Sequence, residues 1–198
     1  MIHKTNIHFD PIEAYEYYQI LCRDFKHLHW GYLKDHNDPK FTDPKNKIDD
    51  MNGWGLQTIY NDPLFPYHCD LDPHDEGPIF FKPTPLIFGF AERLLALFQS
   101  PYRACLYVHP PKSHIDKWMA GGPPHGKIVV PISTNASTLL TSHNLPPTKI
   151  VPLPGNIYLV ETNVEAEIIN NGLQDDVFIS FNVPIDTFSA VLDTKGII

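Results

Sequence analysis

Cysteine is scarce. The three thiols, Cys22, Cys69 and Cys105, are odd in number and far apart, and no CxxC pair occurs. This rules out a disulfide framework and a dithiol redox motif, and the three are expected to be reduced. Cations are also few: 15 Lys and Arg face 23 Asp and Glu, for a formal charge of -8. Such a chain has little with which to displace counterions from a phosphate backbone, so nucleic acid is not expected as a partner. No uninterrupted apolar run approaches the roughly 20 residues that a bilayer-spanning helix needs. The first eight residues, Met1 to His8, hold no apolar stretch of the kind that targets secretion. A soluble cytoplasmic protein without a membrane partner is expected.

What is present describes a folded chain rich in loops. Hydrophobic residues at 42% outweigh charged ones at 19%, which places the composition well outside the disordered range. A length of 198 residues suits one well-buried core, so a single domain over 1–198 is expected. Asp10, Pro11 and Glu13 supply an N-cap, a proline at the first helical position and a capping-box acid, predicting a helix from Ala14 to about Phe25. Tyr15, Tyr18 and Ile20 are its expected apolar side. Residues 36–50, rich in Asp, Asn, Pro and Lys, read as an exposed loop. The stretch 54–60 reads as a strand and 88–98 as an amphipathic helix.

Beyond Pro101 the pattern changes to short apolar, β-branched runs separated by turns. Strands are predicted at 104–108, 127–133, 137–141, 149–153, 157–161, 167–169 and 177–183, with Pro154-Gly155 and Asn170-Asn171-Gly172 as tight turns. Short strands at this spacing imply a sandwich or a barrel. The chain therefore reads as mainly β with N-terminal helices: a helical and loop region over 1–100 packed on a β core over 101–184.

The chemistry concentrates in Pro110-Pro111-Lys112-Ser113-His114-Ile115-Asp116. On an extended strand, residues two apart project from one face, so His114 and Asp116 can converge on one metal ion. They are two members of a 2-His-1-carboxylate set, which leaves positions open for a keto acid and oxygen and suits iron(II). His-x-Asp is common, and taken alone an exposed polar turn is the better account of it.

Its surroundings form an ordered set. The run 103–116, then Gly126 to Asn135, then Gly155 to Asn163, then Ile168 to Gly172 follow one another in the order and spacing of the aspartyl/asparaginyl β-hydroxylase pattern, which the C-terminal half of the chain resembles. The Pro-x-Pro-Gly turn before Ile157 is also similar to the second motif of the wider cupin superfamily. The resemblance implies a double-stranded β-helix, a jelly-roll or cupin-like barrel. It also implies Fe(II) and 2-oxoglutarate as cofactors and hydroxylation of a peptide side chain or small molecule.

Carried over residue by residue, His114 matches the family's proximal metal histidine and Asp116 a carboxylate found in many members. The distal histidine falls on Ala166, which cannot bind metal. Lys127 and Val129 stand where members carry Arg-x-His, and Asp176 where an Arg is expected. A lysine holds a carboxylate only as a point charge, and an aspartate repels it. Three explanations stay open. A strand bulge could aim Glu165 or Glu167 at the metal. His109 or His125 could complete the site while Lys127 holds the keto acid. Alternatively the barrel is catalytically inactive and binds a small ligand or partner protein.

Other features have ordinary explanations. The run from His68 to Glu76 is dense in metal-ligand types but lacks a zinc spacing, and a solvated acidic loop explains it. Trp30 and Trp54 are expected in the core, with Trp118 at the mouth of the site. Gly121 to Pro124 reads as a flexible rim. His143 reads as a surface histidine in a turn.

Overall fold

The computed structural model describes residues 2–29, 52–58, 82–115, 125–143, 147–161, 166–193 and 195–198. Among the described residues, two α-helices precede the main strands. In α1 (Pro11–Asp24), Asp10 caps the first turn by accepting from the Ile12 amide at 2.9 Å, and Pro11 stands where no amide hydrogen is needed. The buried face is Ala14, Tyr17 and Leu21 rather than the expected one: Tyr15 is 42% exposed. The expected capping-box acid, Glu13, instead pairs with Arg93 of α2 (Phe90–Ala96). A third helix, α3 (Ile185–Asp193), follows the strands and was not legible as one in the sequence.

The strands are β1 (Ile2–His8), β2 (Gly53–Gly55), β3 (Gln57–Thr58), β4 (Lys82–Pro83), β5 (Tyr102–His109), β6 (His114–Ile115), β7 (His125–Ser133), β8 (Thr138–Ser142), β9 (Thr148–Ile150), β10 (Asn156–Glu161), β11 (Ala166–Asn170), β12 (Asp176–Pro184) and β13 (Lys195–Ile197). A seven-stranded sheet has the order β13-β1-β10-β7-β12-β5-β2, and a four-stranded sheet has the order β6-β11-β8-β9. Between β5 and β12 the chain passes back and forth from the large sheet to the small one, which is the winding of a double-stranded β-helix. All seven strands predicted beyond Pro101 are present. The prediction missed β1, which pairs antiparallel with β10 and extends the large sheet from the N-terminal region.

Two apolar layers follow from the alternation of each strand. Ile128, Val130, Ile157, Leu159, Ile179, Phe181 and Val183 face the helices and pack with Tyr17, Leu21, Phe90 and Leu94. Their neighbours Val129, Tyr158, Val160 and Phe178 face the other way and meet Leu140, Ala166 and Ile168 of the small sheet. The second layer is the barrel interior. Trp54 is buried at 3% exposure, as expected, with Nε1 donating to the Phe25 carbonyl at 2.9 Å. Cys22 and Cys105 are free thiols, and Cys69 lies outside the described residues. No helix among the described residues is long and apolar enough to cross a membrane.

Candidate functional site

Strand direction gives the barrel two distinguishable ends. At the first, β5 finishes and β12 begins, with His109 directly opposite Asp176. At the second, β12 runs out beside the start of β7, with Asn182 opposite Lys127, and Ser142 of β8 opposite Ala166 of β11.

At the first end several polar side chains bond one another, beside the buried His109, whose Nδ1 has no hydrogen-bond partner. The Asp176 carboxylate accepts from Thr138 Oγ1 at 2.8 Å and from Asn135 Nδ2 at 3.0 Å. Asn135 Nδ2 also reaches Asn170 Oδ1 at 3.2 Å, and Asn170 Nδ2 donates to the carbonyls of His109 at 3.1 Å and Gln174 at 2.8 Å. Burial pushes the Asp176 carboxyl up to about 6, against the lowering effect of its hydrogen bonds. Burial also lowers His109 to about 4, and its ring packs edge-on against Phe178. The expectation that Asp176 faces a bound co-substrate is not supported by this placement. The residue lies at the opposite end of the barrel from Ala166 and is tied to Asn135 and Thr138.

The second end carries the remaining interior polar groups. Regular pairing of β7 with β12 from Pro131 to His125 puts Lys127 on the same face as Val129, inside the barrel, and the residue is 8% exposed. Ser180 and Asn182 share that face of β12. Ala166 lies on the facing sheet at 1% exposure, so the position that resembles the family's distal metal histidine does point inward but carries only a methyl group.

His114 does not join that interior. It pairs with Ile169, which belongs to the outward-facing set of β11, and its side chain is 49% exposed. On this outer face Glu167 comes within 3.7 Å of His114 Nε2 and 2.8 Å of His143 Nε2. The structure thus brings together His114 and one proposed third ligand, Glu167, but outside the barrel. His143, expected to be a plain surface histidine, is the closer partner of that carboxylate. His109 is at the first end, away from this group. His125 begins β7 opposite Pro184. Asp116, Glu165, Trp30, Trp118, residues 68–76 and residues 121–124 lie outside the described residues.

Iron(II), implied by the resemblance, can be tested against these positions. Among the described residues no three His, Cys, Asp or Glu side chains are grouped so as to hold a metal ion. The inward position at 166 is alanine, and the histidine at 114 is on the outer face. The described residues therefore do not fit an iron centre inside the barrel. Ser142 Oγ, Ser180 Oγ and Asn182 Oδ1 are buried at the second end without a hydrogen-bond partner. Sequence reasoning missed these three, although Ser180 and Asn182 were readable as the polar positions, two apart, of the otherwise apolar run 177–183.

No family model matches the chain, and no curated protein matches it in sequence. Among solved structures, a prolyl-4-hydroxylase of Pseudomonas putida aligns over 92% of each chain at 7% identity with a TM-score of 0.50. A 2OG-Fe(II) oxygenase family protein of Burkholderia pseudomallei aligns over 42% of each chain at 14% identity with a TM-score of 0.37, so the match spans less than half of that protein's length. A cupin domain of Bordetella pertussis aligns over 40% of this chain and 77% of its own at 19% identity, TM-score 0.29. The likeness over 92% of the chain to the prolyl-4-hydroxylase agrees with the strand winding on a double-stranded β-helix fold.

Proposed function

We propose that the protein is an oxygenase-type double-stranded β-helix that receives 2-oxoglutarate in its barrel, in the manner of a 2-oxoglutarate- and Fe(II)-dependent oxygenase that hydroxylates a peptide side chain or small molecule. The observation that carries this reading is Lys127. It lies inside the barrel on the face of Val129, and its position resembles the one that binds co-substrate in the aspartyl/asparaginyl β-hydroxylase pattern. In this reading Lys127 holds the far carboxylate of the keto acid. The metal part of the proposal rests on the sequence resemblance, with His114 and Asp116 as the residues it names. No step is derived through the ion, because the described residues do not form its seat.

A second reading, a barrel that binds its ligand without turning it over, is favoured by one observation: the methyl group of Ala166 at the inward position. Titration of the anaerobic, iron-supplemented protein with 2-oxoglutarate separates the two. A metal-to-ligand charge-transfer absorption, lost in His114→Ala, supports the oxygenase. Saturable 2-oxoglutarate binding with no such band leaves the non-catalytic barrel. No binding at all refutes both.

A further inference from the structure

Among the described residues, five large apolar side chains are exposed: Ile12 at 68%, Tyr15 at 42%, Leu97 at 46%, Leu153 at 52% and Leu173 at 85%. Single exposed apolar residues are ordinary, and only their grouping is informative. Four of the five group at the first end of the barrel. Both β10 and β12 begin there, since each pairs antiparallel with β7. Leu153 stands in the turn before β10, where the Phe9 amide donates to the Gly155 carbonyl at 3.2 Å and sets this turn against the start of α1. Ile12 and Tyr15 follow, one turn apart on α1, and the Tyr15 and Tyr18 ring centroids are 5.9 Å apart. Asp175 is close enough to Tyr18 and Cys22 for its charge to act on both, so the turn that carries Leu173 borders the second half of the helix. Leu97 lies elsewhere: its neighbour Phe98 packs on Phe181 of β12, towards the second end.

Leu173, the most exposed of the five, sits on a turn that is tied down. Asn170 Nδ2 donates to the Gln174 carbonyl at 2.8 Å, Asn170 Oδ1 accepts from the Gly172 amide at 2.9 Å, and the Lys112 ammonium donates to the Asn171 carbonyl. A Cβ at Gly172 would lie 2.2 Å from Asn135 Nδ2, so the turn is packed onto the residue beneath it. Such a turn presents its leucine to solvent in a fixed place, which lowers the ordering cost of binding through it. Exposed carboxylates border the same stretch: Asp10 and Glu16 on α1, and Asp175 beside Tyr18. Of the cations nearby, Lys112 is engaged with the Asn171 carbonyl and Arg93 with Glu13.

We infer that this end of the barrel is a docking surface for a protein segment that sets apolar side chains against Ile12, Tyr15, Leu153 and Leu173 and carries lysine or arginine to meet the neighbouring carboxylates. Charge complementarity selects this occupant. A second copy docked through the same patch would bring Asp10, Glu16 and Asp175 against their own counterparts, in a chain whose formal charge is already -8. An anionic membrane surface would be repelled by the same three groups. The surface is outside the barrel interior, so the inference goes beyond the oxygenase reading and does not depend on it.

The probe is a fluorophore-labelled synthetic amphipathic helix of leucine and lysine, titrated with the full chain and read by anisotropy. It is expected to bind saturably and more weakly as salt rises, while a matched peptide of leucine and glutamate does not bind. Leu173→Asn is expected to weaken binding about tenfold, the effect of removing one leucine from an interface. Asp175→Asn combined with Glu16→Gln should weaken it and flatten its salt dependence. Leu97→Asn, at the exposed leucine outside the patch, should bind as the parent does. All these positions are exposed, so the variants should keep the parent's melting temperature, which checks that the fold is intact. Equal affinity of the Leu173 and Leu97 variants, equal binding of the glutamate peptide, or no binding of the lysine peptide overturns the proposal. A parent chain that elutes as a dimer and becomes monomeric with Leu173→Asn assigns the patch to a second copy and overturns it as well. So does binding to vesicles of phosphatidylserine and phosphatidylcholine that Leu173→Asn abolishes.

Discussion

At the scale of single residues, the most consequential position is one where a side chain faces the right way and is the wrong type. Ala166 was identifiable only as the position that the family resemblance assigns to the distal histidine, and the structure places it inward. The facing of His114 was not legible, because a two-residue strand takes its face from its partner β11 and not from its own pattern. The pair Asp176 and His109 yields a prediction about pH. Asp176 has a folded pKa of about 6, above the roughly 3.9 of an unfolded aspartate, so stability it confers at low pH is lost as pH rises through 6. His109, lowered to about 4, confers stability above its unfolded value near 6.5 that is lost as pH falls towards 4. Between pH 4 and 6 the two slopes oppose each other. Asp176→Asn should leave the histidine slope alone, so that urea-midpoint stability falls on acidification. His109→Gln should leave the aspartate slope, with stability falling as pH rises from 4 to 6. Parallel profiles in the two variants would contradict the assignment.

At the scale of elements, local chemistry predicted what local chemistry controls. The Asp10-Pro11 start of α1 is present as read, and Asp10→Ala should cost about 1 kcal/mol, seen as a melting temperature lower by about 2–4 °C. Glu13 was misassigned because its partner, Arg93, lies 80 residues away, and no local motif announces such a contact. The buried face of α1 was misread for a similar reason. Ala14 is small enough to be overlooked in an apolar count, yet it is fully buried beside Tyr17, whose hydroxyl donates to the Leu86 carbonyl at 2.7 Å. At Gly53 the backbone has φ +145° and a Cβ would lie 1.9 Å from the Leu106 carbonyl oxygen, so β2 can pair with β5 only because a hydrogen stands there. Gly53→Ala should destabilise by at least about 2 kcal/mol and loosen Trp54, which follows it. An unchanged denaturation midpoint and unchanged tryptophan fluorescence would show that the strand can shift without cost.

At the scale of the whole molecule, the barrel was legible because each of its strands carries its own alternation and turn residues. The attachment of the N-terminal region to it was not. β1 reads weakly as a strand, since Lys4 and Asn6 stand among its apolar residues, but it closes the edge of β10, places Ile7 in the layer under the helices and Ile2 in the barrel interior. An exposed β10 edge would present unpaired amides and carbonyls to other copies of the chain. Deleting residues 2–8 should therefore destabilise and aggregate the protein, read as earlier elution in size-exclusion chromatography and a melting temperature lowered well beyond that of any single core substitution. Deleting residues 195–198 is the matched comparison. It removes β13, which pairs with β1 over only three positions, from Asn6 opposite Lys195 to His8 opposite Ile197, and it should cost a few degrees at most. Equal losses from the two deletions would mean that β1 serves only as one more edge strand and is not the element that joins the helical layer to the barrel.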